Sequence, residues 1–410
     1  MLIGVLLVLQ SSLKPQISCP VGPTAAKTQS KLWFNDGVWW GILFDGSSEE
    51  FHIYRYDAKM GRWSDTGTTI DARNLSRSDA LWDDPHLYVA SAGIRADSSK
   101  DSPRLLRYTY DPSTQRYSLD EGFPVTISDG GTEAITLAKA EDGALWATYT
   151  QDTDDGRLRR VYVTHTIDRD DASWVEPFVP KLEGTTVSTD DVSSVVAFGS
   201  SIGLMWGNQY DESGNSGYYF AVHENGAPDD AWREDNPVMG AGMVNDHINL
   251  KADSQGRILA ATKTRRDRID RDLDAPYGVL WVRDGQGNWA SHVYSTVGDF
   301  YTRSLLLIDE GRNDLYIFGT SPTCSGGKIY YKRTDLDDIS FERGKGTLFM
   351  KGDGGIKIGD ATSTRQNLGP GMQPMVIASS TTGRYYYNLI NPGSGEKRYQ
   401  EGAEITDAGF

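Results

Sequence analysis

Asp246 and His247 stand side by side at the head of the run DHINLKADSQGRILAATKT, residues 246–264. An imidazole titrates near neutrality and a neighbouring acid tunes its protonation, so these residue types suit general acid or base work. The run alternates through Ile248, Leu250 and Ala252, turns at Asp253-Ser254-Gln255-Gly256 and returns through Ile258 to Lys263, the pattern of a β-hairpin. Successive residues of a strand point to opposite faces, which argues against a direct Asp246–His247 bond. It favours a partner from elsewhere in the chain, such as Glu133, Asp190 or Asp191.

What must position these groups is a repeat. Counterparts of the hairpin are KLWFNDGVWWGILF from Lys31, DALWDDPHLYVASAG from Asp79, AITLAKAEDGALWATYTQ from Ala134, SSVVAFGSSIGLMWGNQ from Ser193, RSLLLIDEGRNDLYIFGTS from Arg303 and MQPMVIASSTTGRYYYNL from Met372. With the first run they recur roughly every 50–60 residues, near the spacing of propeller blades. After each of the first six comes an aromatic-rich third strand closing in an acid, with an aromatic shortly beyond: Asp57 and Trp63, Asp111 and Tyr117, Asp168 and Trp174, Glu224 and Trp232, Asp284 and Trp289, Asp335 and Phe341. An acid that accepts turn N–H groups and an aromatic that plugs the gap between sheets explain the pairing structurally. The prediction is an all-β, seven-bladed β-propeller of four-stranded antiparallel blades, because radial repetition leaves only short, protected edges. It spans residues 31–400, with 1–30 as a signal-like N-terminal segment and 401–410 as a C-terminal tail. The strand closing the seventh unit comes from one of those two ends.

This periodicity with acid-then-aromatic turns resembles the sialidase-like, Asp-box (BNR-type) class of propellers over about Lys31 to Tyr399. Runs such as SKLWFNDGVWW and YYFAVHENGAPDDAW are similar to those of large secreted bacterial propeller proteins. The Ser-x-Asp-x-Gly-x-x-Trp order of the Asp-box is intact nowhere, and an Arg-Ile-Pro motif is missing, so the resemblance does not imply sialidase activity.

In a propeller the residues introducing each innermost strand gather at one mouth of the central channel. Alongside Asp246 and His247, that rule collects Arg77 and Asp79, Thr132 and Glu133, Asp190 and Asp191, Thr302 and Arg303, and Arg365 and Gln366. Second-strand ends add Gln151, Asn208, Gln209, Lys263 and Asn388, and His52 begins a third strand on the same face. The set offers His247 or His52 as acid or base, with Asp79, Glu133, Asp190 or Asp191 as the second proton-transfer group. Arg77 and Arg303 would neutralise a sugar carboxylate, the guanidinium fork matching its two oxygens, with Arg365 and Lys263 as further substrate-binding cations. Gln151, Gln209 and Asp246 would complete the binding surface. Trp206, Trp40 and Trp33 offer faces for stacking on sugar rings, or else belong to the core. The competing reading of the ring is that its charges pair with one another and hold blades in register. His86, His165, His223 and His292 fall beside turns and read as structural.

Composition narrows the partner. The net charge of −16 excludes a nucleic-acid or anionic-membrane surface, since phosphate binding needs a basic one. The apolar start MLIGVLLVLQSS is too short to span a bilayer and reads as a signal-like core, a truncated start or a buried strand. Export is the expectation, with Cys19 and Cys324 free to pair. Nucleotide loops, nucleophile elbows and metal-spaced clusters are missing, so no cofactor is expected; the acid-rich loops QDTDDG and DRDDAS leave room for a structural calcium. These features point to a secreted monomer that binds, and in its enzymatic version cleaves as a lyase or a hydrolase, a uronate-containing polysaccharide. The alternative is a non-catalytic, lectin-like or adhesion propeller with several shallow sites between blades.

Overall fold

A computed structural model describes residues 22–24, 27–93, 101–153, 156–210, 214–269, 272–322, 326–391 and 403–405. Among them, seven antiparallel sheets follow one another along the chain, each laid down in simple sequence order from an inner to an outer strand. They form a seven-bladed β-propeller. The inner strands are Leu32–Asn35, Ser76–Asp83, Ile135–Lys139, Ser193–Phe198, Ile248–Ala252, Thr302–Asp309 and Ile358–Thr362.

Each blade packs on its neighbours through both faces, so its second strand is buried along nearly its whole length. Ser201–Asn208 is buried at every position. That is why apolar runs here are nearly continuous where a half-exposed sheet would alternate. The acid-aromatic turns do the predicted structural work in most blades. Asp57 accepts from the N–H groups of Lys59 and Met60, and Asp111, Asp284 and Asp335 act alike in their own turns. In the third blade the accepting acid is Asp170, and Glu224 of the fourth accepts instead from the Ser201 hydroxyl. The aromatics face the preceding blade: Trp63 meets Tyr387, Tyr117 meets Trp33, Trp232 meets Trp146, Trp289 meets Phe220, and Phe341 meets Tyr294.

Inner strands expose unpaired backbone N–H groups along the channel, and polar side chains of the preceding blade satisfy several of them. Asp79 accepts from Leu137 N–H at 2.9 Å, Thr136 Oγ1 from Val195 N–H at 3.2 Å and Asn249 Oδ1 from Leu306 N–H at 3.0 Å. The ring closes through backbone bonds from Lys31 and Leu32 to the Ser363 carbonyl, joined by side-chain contacts such as Phe44 N–H on the Tyr385 hydroxyl at 2.9 Å.

Two placements differ from expectation in the last blade. The Met372 hairpin forms its second and third strands, Met375–Ser380 and Tyr385–Leu389, rather than its first and second. The inner strand is instead Ile358–Thr362, which escapes a search for alternation because Asp360 takes a left-handed φ of 55° and breaks the register. The outermost strand, Ala403–Ile405, comes from the C-terminal end. The apolar start, Cys19 and Cys324 lie outside the described residues, as does part of the QDTDDG loop.

Candidate functional site

The channel end where inner strands begin gathers charge from six blades, the second to the seventh, and from the segment before the first. At its centre is Lys27, a residue the repeat did not single out. Its ammonium lies 2.9 Å from Glu133, 2.6 Å from Asp190 and 2.7 Å from Asp246, carboxylates of three successive blades. Burial acts against its charge, but Asp246, Glu133 and Asp190 together outweigh that and hold Lys27 above the ordinary lysine range. The segment carrying it is firmly seated. Ser30 N–H donates to Asp79 at 2.7 Å, Ala80 N–H to the Ser30 carbonyl at 2.8 Å, and Thr24 to Ser379. Beneath Lys27 remains a void of about 10 Å³, bordered by Gln29, Asn249 and Arg303, room for a single water.

Around this ammonium the predicted groups assemble unevenly. Glu133 also receives Arg77 at 3.4 Å and Arg159 at 3.2 Å, and Arg159 reaches Asp152 at 2.7 Å. Burial would push the Glu133 carboxyl up, but Lys27, Arg77 and Arg159 bring it below the ordinary glutamate range. Arg303 pairs with Asp360; both sit at left-handed backbone positions in irregular inner strands, with φ of 54° and 55°. Bulges re-aim side chains in this way, and the strain is tolerable only where packing fixes it. Asp190 is the most open member, its side chain 66% exposed against 10% for Lys27, and marks the solvent side of the cluster. Partial desolvation on its cluster-facing side and the neighbouring Asp246 raise its carboxyl to about 6, with Lys27 opposing. Asp191 behind it, also raised to about 6 by burial, accepts from Ser188 N–H and from the backbone and side-chain amides of Gln209.

His247 and Asp246 do touch. Nδ1 lies 2.7 Å from Asp246 Oδ1 and 3.2 Å from Asn245 Oδ1. The inner strand begins only at Ile248, so strand alternation does not apply to the pair, which is why the opposite-face expectation fails. Burial opposes the Asp246 charge, but His247 and Lys27 hold the carboxyl well below its usual range, while burial drives the His247 ring down to about 4. The consistent state is an ionised Asp246 accepting from a neutral ring through Nδ1–H. Nε2 then carries the lone pair, and it is buried with no hydrogen-bond partner among the described residues. Lys263 joins the same electrostatic environment; burial lowers its pKa, Asp246 opposes that, and its ammonium lies 5.3 Å from the Tyr277 ring centroid.

Other candidates fall elsewhere. Asp79 is wholly buried inside the second blade's inner strand, shared among Ser30, Leu137 and Arg365, and is a structural hub. Arg365 lies beyond the seventh inner strand and hence at the opposite end of the channel, bonded to Asp79 at 2.7 Å and to the Val195 carbonyl. Its misplacement follows directly from the shifted seventh hairpin. His52 bonds only within its own blade, to Asp65 at 2.9 Å with Ser48 and Glu50 nearby. Trp206 is 0% exposed, stacked on Tyr219, with its indole N–H on the Gly184 carbonyl; Trp33 and Trp40 are likewise core. Gln151 donates to the Asp129 carbonyl between the second and third blades. Asp170 and Asp171 of the DRDDAS loop are engaged by Ala172 and Ser173, and by Tyr88 and Arg107. No group of three metal-ligating side chains occurs among the described residues, and no helix among them is long and apolar enough to cross a membrane.

The Lys27 cluster could be anticipated from sequence only by placing the segment before the first repeat at the mouth, and a lone lysine in AAKTQSK carries no such signal.

No family model matches this chain, and no curated protein matches it. Among solved structures, polysaccharide lyase Uly1 is similar at 9% identity over 95% of this chain and 92% of its own, with a TM-score of 0.49. An α-L-arabinanase of Penicillium chrysogenum, complexed with arabinobiose, is similar at 13% identity over 74% and 90%, TM-score 0.45. A mutant of AofleA from Arthrobotrys oligospora is similar at 10% over 76% and 85%, TM-score 0.48. At these identities and scores the likenesses transfer neither an activity nor any residue's role, and the Asp-box resemblance gains no support from them.

Proposed function

We propose that this chain acts on a uronate-containing polysaccharide at the Lys27 end of the channel, by β-elimination. The observation that supports it most is His247, a neutral imidazole locked through Nδ1 by Asp246, with a partnerless Nε2 in a setting rich in cations. In this reading substrate displaces the Lys27 segment to reach Nε2, which is otherwise buried, and Nε2 then takes the proton beside the uronate carboxylate. Arg303 and Lys263 stabilise the charge that builds on that carboxylate, and the electron pair forms the ring double bond as the glycosidic oxygen departs. Asp190, exposed and raised to about 6, supplies the proton that the departing oxygen needs. Arg77 and Lys27 hold the acids apart and the dyad in place.

A second reading, a non-catalytic glycan-binding module, draws on a different observation. Lys27, Arg77, Arg159 and Arg303 are each already paired with a carboxylate of the protein itself. Purified protein mixed with a panel of uronate polysaccharides separates the two. Elimination raises ultraviolet absorbance from unsaturated ends, and His247→Gln lowers the rate by roughly a hundredfold or more. Binding without product favours the second reading; neither binding nor product removes both.

A further inference from the structure

The opposite end of the channel is built differently. Where the inner strands finish, a cavity of about 590 Å³ opens among Trp82, Lys139, Glu141, Lys251, Arg365 and Asn367. A second cavity of about 400 Å³ shares Ala197, Ala252 and Asn367 with it and continues past Phe198 and Gln255 to Glu310. Together they make one groove crossing from the second blade to the inner hairpin turns of the fifth and sixth blades. Its floor is the segment 364–367, pinned by Lys251 on the carbonyls of Thr364, Arg365 and Gln366 at 2.8, 2.7 and 3.1 Å. Gln366 bridges to Phe34, and Asn367 to Ala252 and Glu310. The groove is therefore preformed, and the larger cavity alone falls in the size range of ligand pockets.

Its chemistry selects among ligands. The cations lining it are largely engaged: Lys139 with Asp83 at 2.5 Å, Lys251 with the three carbonyls, and Arg365 with Asp79 and the Val195 carbonyl, its buried Nη2 alone lacking a partner. An anionic chain would meet no exposed unpaired cation among the lining residues, and would meet the exposed carboxylate of Glu141. Hydroxyl groups, by contrast, find acceptors in Glu141 and Asp83 and an amide in the exposed Gln255. Half-buried aromatics stand toward the two ends, Trp82 held by edge contacts to Tyr110 and Tyr117, and Phe198 beside Arg283. An apolar ring face next to hydroxyl acceptors suits the two sides of a pyranose.

We propose that this groove is a second ligand site, which binds an uncharged oligosaccharide, independently of the charged end of the channel. The test is calorimetric titration of the full chain with cellohexaose, xylohexaose and maltohexaose, with oligogalacturonate as the anionic control. At least one neutral hexaose is expected to bind, and Trp82→Ala to weaken it about tenfold. Trp82 also packs on two tyrosines, so a Glu141→Ala/Gln255→Ala double variant, confined to exposed side chains, provides the check free of folding effects; a loss of about threefold or more is expected. No binding of any neutral hexaose overturns the proposal, as does binding unchanged in both variants. Binding abolished by His247→Gln and untouched by Trp82→Ala would put the ligand at the other end and overturn it equally. Failure of the elimination assay leaves this site unaffected, because the two experiments read different ends with different sugars.

Discussion

The two ends of the channel are made from the same seven strands, yet one is filled with charge and the other is open. At the Lys27 end, side chains of several blades converge on an ammonium and leave a void of about 10 Å³; at the other, the space left is about 590 Å³. Density of ionisable groups is thus a poor guide to accessible volume. Carboxylates packed close in low dielectric must be compensated, and here the protein compensates them itself. The open end needs less, because its few cations are satisfied by backbone carbonyls or single acids.

The contrast breaks most visibly at Lys27. Lys27→Met leaves Glu133, Asp190 and Asp246 facing one another without their shared cation, and about 3–5 kcal/mol of stability should be lost, read as a lowered urea midpoint. A loss near zero would mean that the cluster is not organised by this residue. Next in size is a pH effect. The His247 ring has a folded pKa of about 4, below its ordinary 6.5, so the unfolded chain takes up the proton first. Its contribution is present above pH 6.5 and is lost as pH falls toward 4, by about 1–3 kcal/mol. His247→Gln should remove that share, so that the difference between variant and wild type changes between pH 7 and pH 4.5 in urea melts. Asp190 has the opposite sign. Its carboxyl is raised to about 6, so it favours the fold at low pH and disfavours it progressively as pH rises from about 4 through 6. Asp190→Asn should therefore lessen the loss of stability on going from pH 4.5 to pH 7. At the open end, Lys139→Ala removes a half-exposed pair with Asp83 and should cost no more than about 1 kcal/mol. A larger cost would show that the groove's rim is as tightly coupled as the plugged end.

Much of the fold was legible because turn chemistry and aromatic spacing repeat with the blade. Six hairpins fall where alternation puts them. The seventh slipped by one strand because its inner strand is five residues with a left-handed Asp360, a local exception that no period reveals. That single slip carried Arg365 to the wrong end of the channel. Circular closure correctly brought Glu133, Asp190, Asp246, His247, Arg77 and Arg303 into one neighbourhood. It could not supply Lys27, whose position depends on how an irregular segment crosses the ring, nor tell that Trp206 faces a neighbouring blade. A tryptophan on a strand covered on both faces has no free side, whatever its spacing.

The account rests on the state of the His247 ring, and nitrogen-15 NMR of labelled imidazoles reads it directly. A neutral ring protonated on Nδ1, with Nε2 carrying the lone pair and no titration until pH falls to about 4, is the predicted result. A ring protonated on Nε2, or one titrating near 6.5, would contradict the base assigned here and the elimination chemistry built upon it.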